Sequence, residues 1–371
     1  MTVAHLNQKQ IFFMTRAHNI AAQSRIVAPP NPWVGCVLVK HGEIIAEGCT
    51  QSYGGDHAEV QALKQAGEEA KGATAYVTLE PCPVQGRTPP CTDALIKAGV
   101  LKVVVGILDP DPRVNGKGIA RLQEAGIEVE VGILREEIYA SLKPYLHHRE
   151  TGLPFCILKA AISMDGKIAA KNGTSIWITG KKAREDVHQI RAESQAILVG
   201  TNTVLEDNPR LTVRHVNYEG SRPPLRVLID AKGKIKPKGD LFDTSLAPTL
   251  ILTTEKVDPK RVEEWKQHGC EVEVISQNRE GNGIDLKEVL ILLGKRGILQ
   301  LLVEGGSRIF SSLIKEELVN KLVLYMGACL LGAEGVSLFS RLNLESIDDA
   351  IRMHLSHMTR LGTDVRLDYT L

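Results

Sequence analysis

The chain has few aromatic residues, almost no net charge and no long apolar run. Of its 371 residues, 4% are aromatic, and 45 Lys and Arg balance 44 Asp and Glu to a net charge of +1. A neutral chain without an aromatic-rich stripe argues against a nucleic-acid partner. No apolar run approaches the roughly 20 residues of a membrane span, and the N-terminal residues 1–25 lack the apolar centre of a signal peptide. We therefore expect no nucleic-acid partner and no membrane association.

The cysteines are also too few and too irregular for a disulfide scaffold. There are seven, an odd number, scattered along the chain. This usage favours a reducing compartment, so we expect a cytoplasmic protein. The length predicts two domains, and an apolar content of 43% with a charged content of 24% is ordinary for a globular protein.

The first half of the sequence alternates between helical and extended patterns. These patterns predict a helix over 7–25, a hairpin that turns at His41 and Gly42, a helix after His57, a strand over 75–80 and a helix after Cys91. Another strand, a helix over 118–125, a further strand and a linking helix follow. Such alternation predicts an α/β layer sandwich with a mixed sheet. We place this domain at 1–147.

The second half, 148–371, also predicts an α/β domain, with strands that look buried on both faces. The stretch 154–169 opens it as one strand, and helices are predicted over 181–193, 258–268, 285–294 and 307–315. The Gly-x-Gly-x-x-Gly fingerprint of dinucleotide-binding folds is missing. Instead Gly305 and Gly306 join a strand to a helix whose N–H groups can hold a phosphate, with Glu304 at the strand's end. A tight turn explains the two glycines equally well.

The stretch GGDHAEVQAL places His57 and Glu59 at a helix start. Taken alone, this stretch predicts only the start of a helix, because Asp56 is a good N-cap residue and Glu59 suits the positive end of the helix dipole. Cys82 and Cys91 change this interpretation, because each follows a proline, just past a strand or at the start of a helix. If the two cysteines do not bind a metal, they are either buried small apolar residues or the two halves of a disulfide.

One imidazole and two thiolates leave zinc a fourth position for water, the pattern of catalytic zinc. A glutamate that does not bind the metal then moves protons from that water to a leaving amine, as in the zinc deaminases. The set His57, Glu59, Pro-Cys82 and Pro-Cys91 matches that signature. The cysteines lie nine positions apart, where the common form has three.

Nine longer motifs, in this order, extend the match to nearly the whole chain. They are PNPWVGCV, HAEVQAL, TLEPC, GRTPPC and DPDPRVNGKG in the first half, and LKAAISMDGKIA, SIWIT, AILVGTNTVLEDNPRLTVR and LVEGG in the second. With them the chain resembles the bifunctional riboflavin-biosynthesis deaminase/reductase family. The resemblance implies a cytidine-deaminase-like three-layer α/β/α domain at 1–147 and a dihydrofolate-reductase-like α/β domain at 148–371.

The resemblance also implies two successive reactions on a small phosphoribosyl pyrimidine. A Zn²⁺-dependent step removes an amino group from 2,5-diamino-6-(5-phosphoribosylamino)pyrimidin-4-one by hydrolysis. An NADPH-dependent step then reduces the ribosyl chain to a ribityl chain. We further expect a homo-oligomer, either a dimer or a tetramer.

Carried over residue by residue, the resemblance assigns roles in both domains. The implied zinc ligands are His57, Cys82 and Cys91. The implied catalytic groups are Glu59, Lys159 and Asp207. The implied cofactor contacts are Ala161, Trp177, Thr203, Asp207 and Gly306. The implied substrate contacts are Asn31, Arg87, Ser175, Arg191, Leu211, Arg214 and Glu304, with the arginines suited to phosphate. Judged without the family, Trp177 fits a core residue and Arg191 one end of a surface salt bridge.

Three positions of the first domain depart from the family pattern. Thr50 and Val84 stand where histidines are usual, and Asp111 replaces an asparagine. These changes remove two hydrogen-bond donors and add an anion near an anionic substrate. They leave open a monofunctional reductase with an inactive or structural zinc domain, although Glu59 favours an active deaminase. A deaminase of nucleic-acid bases is the third hypothesis, and the neutral charge weighs against it.

Overall fold

The structure is a computed structural model that describes residues 8–216, 218, 220 and 222–371. The chain divides into two compact units, Met1–Gly152 and Leu153–Leu371. No helix within the described ranges is long and apolar enough to cross a membrane. All seven cysteines are free thiols.

The first unit is a mixed five-stranded sheet with helices packed against it. Its helices are α1 (Gln8–Ala21), α2 (Ala58–Ala66), α3 (Cys91–Lys97), α4 (Lys117–Glu124) and α5 (Arg135–Thr151), with short 3-10 turns at Ala22–Ser24 and Gly67–Ala70. Its strands are β1 (Gly35–Lys40), β2 (Glu43–Cys49), β3 (Thr74–Leu79), β4 (Lys102–Ile107) and β5 (Glu128–Val131). The strand order is β2-β1-β3-β4-β5, with β1 antiparallel to both neighbours and β3, β4 and β5 parallel.

Two glycines show how the layers are arranged. Gly35 and Gly48 occupy successive register positions of the β1–β2 pair, so their Cα–H bonds point to opposite faces of the sheet. A Cβ on Gly35 would lie 1.9 Å from the carbonyl oxygen of Ala17 in α1, and one on Gly48 would lie 2.3 Å from that of Ala58 in α2. Helices α1 and α2 therefore cover opposite faces. This confirms the three-layer α/β/α sandwich and its mixed sheet.

The break between the units follows α5. The boundary expected at 147/148 falls inside this helix, which contacts β4 and buries Tyr145 and Leu146. The helix ends at Thr151, and the cap residue Gly152 has a φ of 74°, a left-handed conformation that favours glycine. The structural division at 152/153 therefore lies five residues further along the chain.

The second unit has a nine-stranded sheet. Its helices are α6 (Lys181–Glu193), α7 (Thr201–Asp207), α8 (Pro259–Gln267), α9 (Leu286–Lys295) and α10 (Ser307–Lys315), with 3-10 turns at Asp240–Phe242 and Ile347–Asp349. Its strands are β6 (Phe155–Ser163), β7 (Lys167–Ala169), β8 (Ala196–Gly200), β9 (Leu225–Ile229), β10 (Thr249–Thr253), β11 (Glu271–Val274), β12 (Gln300–Val303), β13 (Lys321–Gly327), β14 (Val336–Ser337), β15 (His354–Leu361) and β16 (Asp364–Thr370). The order is β11-β10-β9-β8-β12-β6-β13-β16-β15, and β7 pairs separately with β14.

The sheet of the second unit is covered on both faces, as its apolar strands predict. Leu158 and Leu301 face a core formed with α9 and α10. Ile157 and Leu302, the neighbouring residues, face a second core formed with α6 and α8. Seven neighbouring strands of this sheet are parallel to one another: β11, β10, β9, β8, β12, β6 and β13. Their carboxyl ends therefore meet at one edge of the sheet, where α/β proteins bind ligands.

The sequence-based prediction differs from the structure in two parts of this unit. The stretch 154–169 forms β6 and β7 rather than one strand, because the chain turns at Asp165 and Gly166 between them. The C-terminal hairpin of β15 and β16 was not predicted. Most side chains of β15 are exposed, so the sequence there lacks the alternation of apolar and polar residues that indicates a half-buried strand.

Candidate active sites

A triangle of metal-binding atoms lies in the first unit, formed by His57, Cys82 and Cys91. The Nδ1 atom of His57 lies 3.2 Å from the Cys91 Sγ and 3.6 Å from the Cys82 Sγ. The two Sγ atoms are 3.5 Å apart. For a tetrahedral zinc ion, bond lengths of about 2.3 Å to sulfur and 2.0 Å to nitrogen place such atoms roughly 3.5 to 3.8 Å from one another. The triangle therefore has the size and the donor set of a three-ligand zinc site.

Three different elements bring these atoms together. His57 immediately precedes α2, Cys91 is the first residue of α3, and Cys82 lies in the loop after β3. Thr88 Oγ1 is 3.5 Å from the other ring nitrogen, His57 Nε2, and this contact favours the ring orientation in which Nδ1 faces the thiols. The positive ends of two helices thus face the site, where they favour thiolates.

The predicted N-cap of α2 was wrong. The cap residue is His57, with φ −76° and ψ 164°, and its side chain makes no cap hydrogen bond. The carboxylate of Asp56 instead accepts a hydrogen bond from Lys64 at 2.5 Å. The helix starts at Ala58, one residue after the start that an Asp56 cap would give, because the backbone of His57 is extended.

The pKa values of the two neighbouring thiols, Cys82 and Cys91, shift in opposite directions. The hydrogen bond from Cys91 and that from His57 hold the pKa of Cys82 below its usual value, although burial opposes this shift. The hydrogen bond to Cys82 and burial raise the pKa of Cys91. A divalent cation removes this conflict, since both thiolates can then share its charge. The chemistry of the donor set therefore fits zinc.

Glu59 lies in the first turn of α2 and is 3% exposed. Burial, together with the negative charge of Cys82, raises the pKa of its carboxyl group to about 7. A carboxyl group with a pKa near neutrality can both accept and release a proton at physiological pH. This is the property that a proton shuttle beside a metal-bound water requires.

The other expected deaminase residues lie in loops. The Asn31 backbone N–H donates to the carbonyl of Ala28 at 2.9 Å. The Arg87 guanidinium is exposed and stacks over the ring of Tyr53, 4.4 Å from its centroid. Their contact with a substrate stays a prediction.

Two of the three departures from the family pattern have local partners. The Thr50 Oγ1 accepts a hydrogen bond from the backbone N–H of Val34 at 3.0 Å. Asp111 is paired with Arg113, which donates from Nε at 3.0 Å and from Nη2 at 2.6 Å. The hydrogen bonds from Arg113 lower the pKa of Asp111. The extra anion is therefore neutralised within the loop that introduces it.

A second cluster of charged side chains lies in the second unit, around Glu304. Arg191 donates from Nε to Oε1 at 2.5 Å and from Nη2 to Oε2 at 2.9 Å. Lys159 Nζ lies 3.8 Å from the same Oε2. Burial opposes ionisation of Glu304, but the attraction of Arg191 and Lys159 outweighs it and lowers the pKa of the carboxyl group to about 2. Burial lowers the pKa of Lys159.

The register of the parallel sheet accounts for this cluster. Val303 of β12 pairs with Leu158 of β6, so Glu304 and Lys159, the next residues, emerge side by side. Arg191 reaches them from the last turn of α6, the helix on that face. Because it is buried in this pair, Arg191 is not one end of a surface salt bridge.

The loop after α7 is attached to the same cluster. Arg191 Nη1 donates to the carbonyl oxygen of Thr212 at 3.0 Å, and Arg214 Nη1 donates to the Thr212 Oγ1 at 2.8 Å. Leu211 is buried and has a φ of 51°. The structure thus brings Lys159, Arg191, Leu211, Arg214 and Glu304 into one linked group.

The remaining expected cofactor and substrate positions fall into small groups. Ser175 donates a hydrogen bond to Asp207, although burial still raises the pKa of that carboxyl group. Thr203 Oγ1 would lie 3.1 Å from a Cβ on Gly305 and 3.5 Å from one on Gly306. Among the described residues no side chain caps α10 at Gly306, which suits a phosphate at this helix start.

Trp177 and Ala161 are the two remaining cofactor contacts that the resemblance implies. Trp177 is 69% exposed and stacks with the guanidinium of Arg184 at 4.2 Å, so it is not a core residue. Ala161 follows Lys159 by two positions on β6 and faces the same side of the sheet. Their contact with a cofactor stays a prediction.

Sequence reasoning missed two side chains beside the cluster. His188 of α6 is buried, and its Nδ1 lies 2.9 Å from the backbone nitrogen of Arg214. The ring of Tyr325 lies 5.8 Å from the Lys159 Nζ, and its hydroxyl donates to Asp186. The one available signal was the i, i+3 spacing of His188 and Arg191, which is too common on amphipathic helices to indicate a site.

Protein-family models match both halves of the chain. The RibD C-terminal domain matches residues 154–367, and the cytidine and deoxycytidylate deaminase zinc-binding region matches residues 7–107. The RibD riboflavin biosynthesis protein of Escherichia coli is 40% identical over 366 residues, covering 96% of this chain and 98% of that protein. The RibD protein of Chlamydia trachomatis is 47% identical over 345 residues, covering 92% and 90%.

Solved structures agree with these sequence matches. Acinetobacter baumannii RibD superposes with a TM-score of 0.88 at 36% identity, covering 98% of this chain and 99% of that one. A diaminohydroxyphosphoribosylaminopyrimidine deaminase/5-amino-6-(5-phosphoribosylamino)uracil reductase from Thermotoga maritima has a TM-score of 0.85 at 34% identity, with the same coverage.

Proposed function

The chain belongs to the RibD family of riboflavin-biosynthesis proteins, and from that premise we propose how its residues divide the work of a deaminase and a reductase. It is a bifunctional enzyme whose cofactors are zinc and NADPH. The first reaction removes an amino group hydrolytically from 2,5-diamino-6-(5-phosphoribosylamino)pyrimidin-4-one. The second reduces the ribosyl chain of the product to a ribityl chain.

In the deaminase, His57, Cys82 and Cys91 hold the metal. When bound, zinc lowers the pKa of a water molecule and so provides a nucleophile. Glu59 takes a proton from the nucleophile and delivers it to the leaving amine, a role supported by its burial and by its raised pKa. Asn31 contacts the pyrimidine and Arg87 the phosphate.

In the reductase, the chemistry that NADPH would supply when bound is a hydride for the sugar carbon. Lys159 or Asp207 gives a proton to the sugar or holds it. Glu304 keeps Lys159 in place and binds the substrate, together with Ser175 and the backbone at Leu211. Arg191 is already committed to Glu304 and to Thr212, so Arg214 is the cation that we assign to the phosphate. Ala161, Trp177, Thr203 and Gly306 contact the cofactor.

The buried Glu59 is the single observation that carries the deaminase assignment. A structural zinc site needs no carboxylate beside its ligands, and burying one is unfavourable without a compensating role. This observation argues against the alternative of a monofunctional reductase with an inactive zinc domain.

The two activities are tested separately on the purified, zinc-loaded protein. Ammonia release from the diaminopyrimidine substrate is measured without NADPH, and NADPH oxidation is measured with the deaminated intermediate. We expect both. NADPH oxidation without ammonia release would favour the monofunctional alternative, and ammonia release alone would contradict the reductase assignment.

The oligomeric state and the cellular location are also part of the proposal. We propose a homo-oligomer, dimer or tetramer, which sedimentation equilibrium tests directly. The free thiols and the zinc thiolates suit a reducing compartment such as the cytoplasm. Cell fractionation with the thiol state of Cys82 as readout tests that location.

A further inference from the structure

His188 holds the backbone of Arg214 in place. The residue lies on α6 and is 5% exposed. Its Nδ1 accepts a hydrogen bond from the backbone N–H of Arg214 at 2.9 Å. Because a backbone N–H can only donate, Nδ1 must carry a lone pair, and the ring proton must sit on Nε2. The contact therefore requires a neutral histidine.

The surroundings of His188 keep the ring neutral. Burial and, after it, the positive charges of Arg191 and Arg214 lower the pKa of the imidazole to about 4, against the attraction of Glu304. The ring of His215 lies edge-on, 5.1 Å away. Because the His188 ring is neutral, it adds no third positive charge beside the guanidinium groups of Arg191 and Arg214.

The segment 211–215 needs such support, because its own backbone does not favour its conformation. Leu211 and His215 have φ values of 51° and 63°, which lie in the left-handed region that is unfavourable for residues other than glycine. The surrounding structure fixes the segment at two backbone groups. One is the Thr212 carbonyl oxygen, held by Arg191, and the other is the Arg214 N–H, held by His188.

The charges in this segment determine what it can bind. The Arg191 guanidinium donates to both carboxylate oxygens of Glu304 and to the Thr212 carbonyl, whereas the Arg214 guanidinium donates from Nη1 to Thr212 Oγ1. Arg214 is thus the guanidinium that can form two parallel hydrogen bonds to a phosphate. Such a contact needs a fixed backbone, since an arginine side chain is long and flexible.

We propose that His188 is a positioning residue of the reductase: through Nδ1 it fixes the backbone of Arg214, so that the guanidinium is held ready for the substrate phosphate. The proposal rests on the role given to Arg214 above. His188 itself touches neither the sugar nor the cofactor, so its loss weakens phosphate binding without removing a reacting group.

The position of the acceptor atom provides the test. In His188→Asn the amide oxygen can occupy the place of Nδ1, whereas in His188→Gln it lies near the place of Nε2, and in His188→Leu no acceptor remains. We expect a rise in KM for the deaminated intermediate of about tenfold in the Leu and Gln variants, with little change in kcat and a smaller rise in the Asn variant. Equal KM values for Asn and Gln would overturn the proposal, even if the Leu variant failed to fold.

A double-mutant cycle separates this proposal from the role of Arg214. If Arg214→Gln raises KM and His188→Leu adds nothing in that background, His188 acts through Arg214. Additive effects would contradict that. If Arg214→Gln leaves KM unchanged, the phosphate role of Arg214 fails first, and the proposal for His188 fails with it. Ammonia release is the control, since both residues lie in the other unit and neither should change it.

Discussion

Arg191 and Glu304 form a buried ion pair with two hydrogen bonds, joining α6 to the end of β12. Their side chains are 12% and 8% exposed, and the Arg191 Nη2 lies 2.9 Å from the Glu304 Oε2. Lys159 adds a second positive charge 3.8 Å from the same oxygen. Removing one member of such a buried cluster leaves the others uncompensated, which is more costly than losing an exposed pair.

Glu304→Gln should change how stability depends on pH. The pKa of Glu304 in the folded protein, about 2, lies below the ordinary glutamate value of 4.5. The ionised carboxylate therefore stabilises the fold fully above pH 4.5, and this contribution is lost as pH falls towards 2. At pH 7 the variant should be less stable by about 3 kcal/mol, and near pH 2 it should match the wild type. Urea unfolding across this range measures the difference. The control is Glu263→Gln, at an exposed position on α8, and an equal loss in that variant would contradict the assignment.

Lys159→Met should slow NADPH oxidation by roughly 10²-fold or more, since positioned proton donors contribute on that scale. The apolar side chain keeps most of the volume, so the fold should persist. Ammonia release should be unchanged. Lys171→Met, at an exposed lysine of the same unit, is the matched control. An unaltered kcat in the Lys159 variant would show that this lysine neither supplies a proton nor holds the sugar.

Glu59→Gln should retain zinc and lose ammonia release by roughly 10²- to 10⁴-fold. The amide keeps the shape of the side chain but cannot move a proton. Metal content by mass spectrometry and ammonia release are measured on the same preparation, with Glu68→Gln, at an exposed position after α2, as control. A zinc-loaded variant with normal turnover would remove Glu59 from the mechanism.

Cys82→Ser and Cys91→Ser should each lose most of the bound zinc, because a hydroxyl is a poor substitute for a thiolate ligand. Ammonia release should fall with metal content, while NADPH oxidation should persist. Cys329→Ser, which changes a half-buried thiol of the second unit, should keep its zinc. Undiminished zinc in the Cys82 and Cys91 variants would place the metal elsewhere.

Arg113→Gln should weaken the deaminase, because it leaves the negative charge of Asp111 uncompensated. A hydrogen bond to a charged group is worth about 1.5–3 kcal/mol, so we expect KM to rise roughly 10- to 100-fold. Adding Asp111→Asn should restore most of the loss, since no anion then remains. If the double variant is as poor as Arg113→Gln alone, the guanidinium itself contacts the substrate and charge compensation is not its role.

Much of the fold could be predicted from local patterns. Helix α6 was predicted with the bounds that the structure gives it, and the hairpin turn at His41 and Gly42 has the positive φ values of 54° and 83° that such turns favour. Periodicity over a few residues carries this information, because burial of one face repeats with the helix or strand period. The exposed strand β15 has no such repeat, and it was missed for that reason.

The sequence by itself determined which chemistry the chain can perform. One histidine, two cysteines and one glutamate, in their motifs, specify a zinc deaminase, since metal-ligand and proton-transfer chemistry depend on residue type. Only the tertiary structure decided which partner each side chain takes. Asp56 binds Lys64 rather than capping α2, Asp111 is neutralised by Arg113, and Arg191 is committed to Glu304, 113 positions away. Such pairings follow from strand register and helix packing, which bring together residues that no local pattern connects.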